Sequence, residues 1–354
     1  MEVKALKFGG LTAKRPIVQG GMGVGVSLSS LAGNVAKCGG IGTISGVHPG
    51  YREADFKENP FRANLRAIGN ELEKAKEIAN GGIIGFNFMT VMNHYEEYVK
   101  EAIAAGADFI VSGAGLPVNL AKYAAGTRAA ILPIVSSARA LKLIVKQWQR
   151  ADRLPDAVVV EGPLAGGHLG YPYGHLVDGT FDTLEDSLVD VVDYVRELEE
   201  KNGVIIPVIA GGGVRSHADM ERLMALGASG VQVGTKFVAT EECDAAPAFK
   251  QAYLRSRKED VQLIESPVGL AARAIRNSFL EKVEKQGRIP VQRCYQCMNH
   301  CKQAETKYCI SQALIDAVQG REGLVFCGAN AYEIEKLSTV EKVMQELCGE
   351  VGGQ

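Results

Sequence analysis

Residues 204–237 read VIIPVIAGGGVRSHADMERLMALGASGVQVGTKF. An apolar run, Ile205 to Ala210, stops at Gly211-Gly212-Gly213, and a segment of helical period starts near Ser216. A second apolar run, Gly230 to Val233, stops at Gly234-Thr235. Strand, glycine turn, helix and strand make a βα unit, and runs apolar on successive residues suit parallel strands covered on both faces. The same alternation extends from residue 16 to about residue 257. It predicts six further strands: Ile17 to Gly20, Gly40 to Ile44, Ile83 to Phe88, Asp108 to Val111, Ala130 to Val135 and Ala157 to Val160.

The intervening segments carry helical stripes. Leu65, Ile68, Leu72, Ala75, Ile78 and Ala79 fall on one face, with Glu71, Glu73, Lys74 and Lys76 expected outside. Leu184, Leu188, Val191, Val192, Val195 and Leu198 repeat the pattern, acidic early and basic late as the helix dipole favours. Eight βα units across roughly 240 residues predict an α/β fold, a TIM (β/α)8 barrel. An open doubly wound sheet is the alternative. Two stretches break the repeat: residues 46–64, read as a loop excursion over the barrel mouth, and the tail. The division expected is a barrel over 1–285 and a C-terminal cysteine-rich extension over 286–354, with a final helix from about Thr339 to Leu347.

Composition narrows the function. The 354 residues are 46% hydrophobic, which is enough for a large core and excludes a disordered chain or a collagen-like fibre. Thirty-nine basic residues against 41 acidic ones give a net charge of −2, without the basic patch a nucleic acid needs. Met1 to Arg15 lacks the apolar core of a secretory signal, and the longest uncharged stretch, Pro16 to Ala36, is too glycine-rich for a good membrane span. A cytoplasmic protein acting on a small molecule is expected, with a homo-oligomer as an open alternative to a monomer.

In such a barrel the carboxyl ends of the strands face the reaction site, and phosphate binds after strands seven and eight. Gly211, Gly212, Gly213, Gln232, Gly234 and Thr235 occupy those two ends, offering bare N–H groups beside a helix start. Gly21, Met22 and Gly23 follow the first strand and leave space for a flat ring, and Asn87 ends the third with a side chain that both donates and accepts. The sixth strand leads into a glycine-rich loop expected to be flexible, which presents His168, able to move a proton near neutral pH. His48 and His175 are expected to be surface histidines.

QGGM at 19–22, GFNFMTV at 85–91, SGAGLP at 112–117, EGPLAGGHLG at 161–170, IAGGGV at 209–214 and VQVGTKFVATEE at 231–242 resemble the FMN-dependent nitronate monooxygenase (2-nitropropane dioxygenase) family. The flavin enoyl-acyl-carrier-protein reductase II group is similar at the same places. The resemblance implies a barrel holding FMN, its phosphate on Gly211, Gly212, Gly213, Gly234 and Thr235 and its ring near Gly21, Met22, Gly23 and Asn87. His168 would be the catalytic acid or base. Two activities follow: oxidation of alkyl nitronates with O2, or NAD(P)H-dependent reduction of an activated alkene. One place departs from the family: members often carry a flavin-holding glutamine in the helix after the histidine, and LEDSLVDVVDYV (184–195) has none. A non-redox enzyme or binding protein for a phosphate ligand is the alternative from another class.

Cys294, Cys297, Cys301 and Cys309 follow C-x2-C-x3-C-x7-C, spacing suited to four thiolates around one centre. Three cysteines within eight residues suit a [4Fe–4S] cubane, with zinc as the alternative and His300 as another possible ligand. Lys302 and Lys307 would offset the charge, and a cluster would relay electrons to FMN. CYQCMNHCKQAETKYC and GANAY (328–332) resemble a bacterial branch of the same family. Cys38, Cys243, Cys327 and Cys348 read as ordinary thiols.

Overall fold

The computed structural model describes residues 4–298 and 301–350. Eight parallel strands close into a barrel: β1 (Ile17–Gln19), β2 (Ile41–Ser45), β3 (Ile83–Met89), β4 (Phe109–Gly113), β5 (Ala130–Val135), β6 (Val158–Glu161), β7 (Val208–Gly211) and β8 (Gly230–Val233). β8 pairs back onto β1 with Val231 opposite Ile17, which completes the TIM barrel. Both faces of each strand are buried. Val18, Ile41, Phe109, Val111, Leu132 and Val159 share one inner cluster, while Ile17, Ile44, Phe86, Ile110 and Val160 pack with the helices. The unbroken apolar runs follow from this double burial. Where β2 meets the first helix the backbones nearly touch, and a Cβ on Gly42 would lie 2.0 Å from the Ala32 carbonyl oxygen.

The surrounding helices are α1 (Ser29–Lys37), α2 (Pro60–Ala79), α3 (Tyr95–Ala104), α4 (Leu120–Tyr123), α5 (Ala138–Trp148), α6 (Leu184–Asn202), α7 (His217–Ala225) and α8 (Val340–Cys348). The six apolar residues expected on α6 are all buried. α2 begins at Pro60, capped by the Asn59 side chain, so the excursion after β2 is shorter than expected. Glu71, expected outside, is buried: its carboxylate accepts the Ser29 N–H at 3.0 Å, while Asp244 accepts from Leu28, Ser30 and Leu31. Two carboxylates thus serve the positive end of α1. β7 starts three residues later than expected, because Ile205 is 85% exposed and Pro207 has no N–H to give a ladder.

Two features were not legible in the sequence. A hairpin, Leu6–Phe8 with Leu11–Ala13, puts Leu6, Phe8 and Ala13 into the inner cluster. A three-stranded antiparallel sheet of Gly167–Leu169, Val261–Glu265 and Ala271–Ile275 lies over the barrel mouth.

The tail does not stand apart. Tyr295, Tyr308, Ile310, Leu324, Val343 and Leu347 belong to the same core cluster as the barrel helices. After the helix Ile310–Val318, the chain returns so that α8 packs against both α1 and α7, filling the eighth helix position. Val340 N–H donates to Glu242, Ser338 N–H to the Ala239 carbonyl, and Lys236 pairs with Glu346 at 3.0 Å. Among the described residues no helix is long and apolar enough to cross a membrane.

Candidate active site

At the carboxyl ends of the strands lies a cavity of about 250 Å³. Gly21, Met22, Gly23, Asn87, His168, Gly211, Gly212, Gln232, Gly234 and Thr235 all line it, so the structure gathers nearly every expected residue. Gly213 does not line it; its Cβ position faces the Leu164 side chain at 3.1 Å.

The glycines after β1 have a packing reason as well. A Cβ on Gly21 would lie 2.3 Å from the Asn87 Cβ, and one on Gly23 would lie 2.6 Å from Ser45 Oγ. They let the tips of β1, β2 and β3 close together, and Ser27 Oγ fixes the turn by accepting the Met22 N–H at 2.8 Å. The ends of β7 and β8 differ. Among the described residues, the N–H groups of Gly212, Gly213, Gly234 and Thr235 find no partner within the chain. Gly212 adopts φ +102°, which only glycine takes readily and which turns the chain away after β7. Three free donors on lining residues make a cradle for an anion, and the residues present therefore fit a phosphate monoester.

His168 sits in an ordered strand, Gly167–Leu169, rather than in a flexible loop; it lies opposite Ala272 in the register. Its Nε2 is 2.7 Å from Ser266 Oγ, and the ring meets Phe326 edge-on at 4.9 Å. Burial lowers its pKa to about 4, so the imidazole is neutral at physiological pH and can accept a proton. The neighbouring Arg273 is buried, and its guanidinium donates to the Ala165 carbonyl, bracing the turn that leads into the histidine.

Glu161 was missed. It ends β6 beside Gly211 and lines the cavity. Burial pushes its carboxyl up to about 7, with the Gly170 N–H partly offsetting this. The signal was present in the sequence, because every other barrel strand ends on an uncharged residue.

His48 is buried rather than on the surface, between Ser311 (2.8 Å from Nε2) and Asn64 (3.3 Å from Nδ1), whereas His175 is exposed as expected. Cys294, Cys297, Cys301 and Cys309 line a second, smaller cavity. Among the described residues no three of Cys, His, Asp or Glu are already spaced as a metal cage. Lys302 and Lys307 pair with Glu305 and Glu265. His300 lies outside the described residues. Cys243, Cys327 and Cys348 are buried thiols and Cys38 is half-buried.

The chain is 25% identical over 308 residues to a probable nitronate monooxygenase of Staphylococcus saprophyticus, covering 80% of this chain and 82% of that one. A Staphylococcus aureus protein of the same description is 26% identical over 305 residues, covering 79% and 81%. In fold the chain is similar to FabK from Thermotoga maritima (TM-score 0.71, 24% identity, 96% and 93% covered). It is also similar to nitroalkane oxidase from Streptomyces ansochromogenes (TM-score 0.66, 19% identity, 95% of each covered). The nitronate monooxygenase model matches residues 4–350. With nearly its whole length matched, and with the expected mouth residues gathered in one cavity, the chain belongs to the nitronate monooxygenase family.

Proposed function

We propose that this chain is a cytoplasmic FMN-dependent oxidoreductase that oxidises alkyl nitronates to carbonyl compounds with O2. The observation that carries the reading is the set of free N–H groups on Gly212, Gly234 and Thr235 facing the cavity that His168 also lines. These donors hold the monophosphate, and Asn87 and the Gly21–Gly23 turn border the ring. When bound, FMN supplies the two-electron redox chemistry and the reaction with oxygen. The neutral His168 takes a proton from the carbon beside a nitro group, or orients the nitronate already formed. Ser266 fixes the ring through its hydrogen bond to Nε2, and Phe326 shields one side from water. Glu161 holds a second exchangeable proton at the same mouth.

The reading needs no electron relay from the cysteines. NAD(P)H-dependent reduction of an activated alkene is the competing activity on the same residues. Mixing the flavin-loaded enzyme anaerobically with an alkyl nitronate, NADH or NADPH separates the two. Rapid bleaching by the nitronate is expected. Bleaching by a nicotinamide alone, followed by reoxidation with an enoyl thioester, would replace the proposal with the reductase. A colourless protein that cannot take up FMN would overturn both.

A further inference from the structure

The cavity at the barrel mouth has two unlike sides. The strand tips give it bare backbone and short polar side chains, among them Asn87, Gln232 and Thr235. The other side comes from segments beyond the strands. Val24 and Val26 follow β1, Phe249 and Tyr253 stand on the helix Pro247–Arg255, and Leu314 and Phe326 come from the tail. The Ala246 N–H donates to the Val318 carbonyl at 2.9 Å, which joins the start of the helix Pro247–Arg255 to the end of Ile310–Val318, so that side chains from both reach one cavity.

This second side offers a ligand little but apolar surface. The Tyr253 hydroxyl is taken up by the Phe326 carbonyl, to which it donates at 2.6 Å, and the Phe249 and Tyr253 rings lie 6.0 Å apart on successive turns. Arg273, a buried cation, does not line the cavity and donates to the Ala165 carbonyl instead. Among the described residues, the ionisable side chains that line the cavity are Glu161, His168, Tyr253 and Cys327, with no lysine or arginine. A carboxylate brought in here would lose its hydration without gaining a cation, and Glu161 in its charged form would repel it. The His168 ring stands edge-on to Phe326 at 4.9 Å, so a carbon held at the imidazole has an apolar wall beside it.

We propose that Phe249, Leu314 and Phe326 form a subsite for the alkyl chain of the nitronate, and that the enzyme selects uncharged chains over chains bearing a carboxylate. The inference rests on the nitronate reading for the identity of the reacting group. With the reacting carbon at His168, the chain runs along Phe326 towards Leu314 and Phe249. Each methylene buried there favours the bound state about fourfold. A carboxylate in the same place forfeits that gain and adds the cost of a buried, unpaired charge. Leu314 and Phe326 belong to the tail, so the segment that closes the outer ring of helices also sets which chains the barrel accepts.

The test measures kcat/KM of the flavin-loaded, full-length enzyme on the nitronates of nitroethane, 1-nitropropane and 1-nitrobutane, and on a pair matched in shape, those of 4-methyl-1-nitropentane and 4-nitrobutanoate. A rise of about fourfold per methylene is expected along the series, and a preference of at least about 100-fold for the branched alkane over the carboxylate. Leu314→Ala should flatten the rise to below about twofold per methylene, while Leu314→Met, which keeps the volume, should retain it. Because the readout is a ratio between substrates, a general loss of folded enzyme does not move it. Equal kcat/KM for the matched pair, or a wild-type slope in Leu314→Ala, would overturn the inference. A second arm needs no turnover: dissociation constants of the inert amides 5-methylhexanamide and glutaramate, read from the flavin spectrum. Tighter binding of the uncharged amide without oxidation of any nitronate would place the failure in the nitronate reading and uphold the apolar subsite, whereas equal or reversed affinities would overturn the subsite itself.

Discussion

Two of the titratable side chains that line the cavity, His168 and Glu161, are tuned in opposite senses by one cause. Burial lowers the His168 imidazole to about 4 and raises the Glu161 carboxyl to about 7, so at neutral pH one is an empty base and the other half-charged. Replacing His168 with Ala should leave FMN content per chain unchanged and lower turnover by about 10²–10⁴-fold, the usual contribution of a positioned acid or base. Full turnover in that variant would remove His168 from the mechanism. Glu161 makes a prediction about stability. Its folded-state pKa is raised, so the folded protein keeps a proton that the unfolded chain releases near the ordinary value of 4.5. The stability this gives is present below that value and is lost as pH rises through about 7. Glu161→Gln should therefore raise the melting temperature more near pH 8 than near pH 4, and an equal effect at both would show that the carboxyl is not perturbed.

Among the elements, what the sequence made legible was what periodicity and glycine mark. All eight barrel strands were found because double burial leaves apolar side chains on successive residues, and Ala130–Val135 and Gly230–Val233 had their bounds right. What escaped was tertiary in origin. The strand Gly167–Leu169 is three residues of a glycine-rich loop, ordered only by pairing with Ala271–Ile275, about a hundred positions away. Glu71 and His48 are buried by partners distant in sequence, at the start of α1 and on the helix Ile310–Val318. Gly212, by contrast, was legible, because its position after a strand signals a turn that needs a positive φ. Gly212→Ala strains that φ of +102° and brings a Cβ 3.0 Å from the Gly162 carbonyl oxygen. Its strain of about 1–3 kcal/mol should weaken FMN binding roughly 5–150-fold in a flavin-fluorescence titration, with His168 untouched. Unchanged affinity would show that this turn does not hold the phosphate.

At the level of the whole molecule, the tail completes the barrel. Val340, Val343, Met344 and Leu347 on α8 are all buried, and the Met344 side chain reaches the turn before β2, where a Cβ on Gly40 would lie 2.7 Å from it. Met344→Ala should cost about 2–5 kcal/mol in urea denaturation, as expected for a large core residue and not for a peripheral appendage. A loss below about 0.5 kcal/mol would mean that α8 is a surface attachment. The same reach has a consequence for biosynthesis. β8 leaves the ribosome roughly a hundred residues before α8 does, which at ordinary elongation speeds is about 5–20 s. For that interval the nascent protein is a cask with one stave missing, its greasy gap between α1 and α7 open to chaperones, and strain on the cell's folding machinery should show first as trapping of this half-closed form.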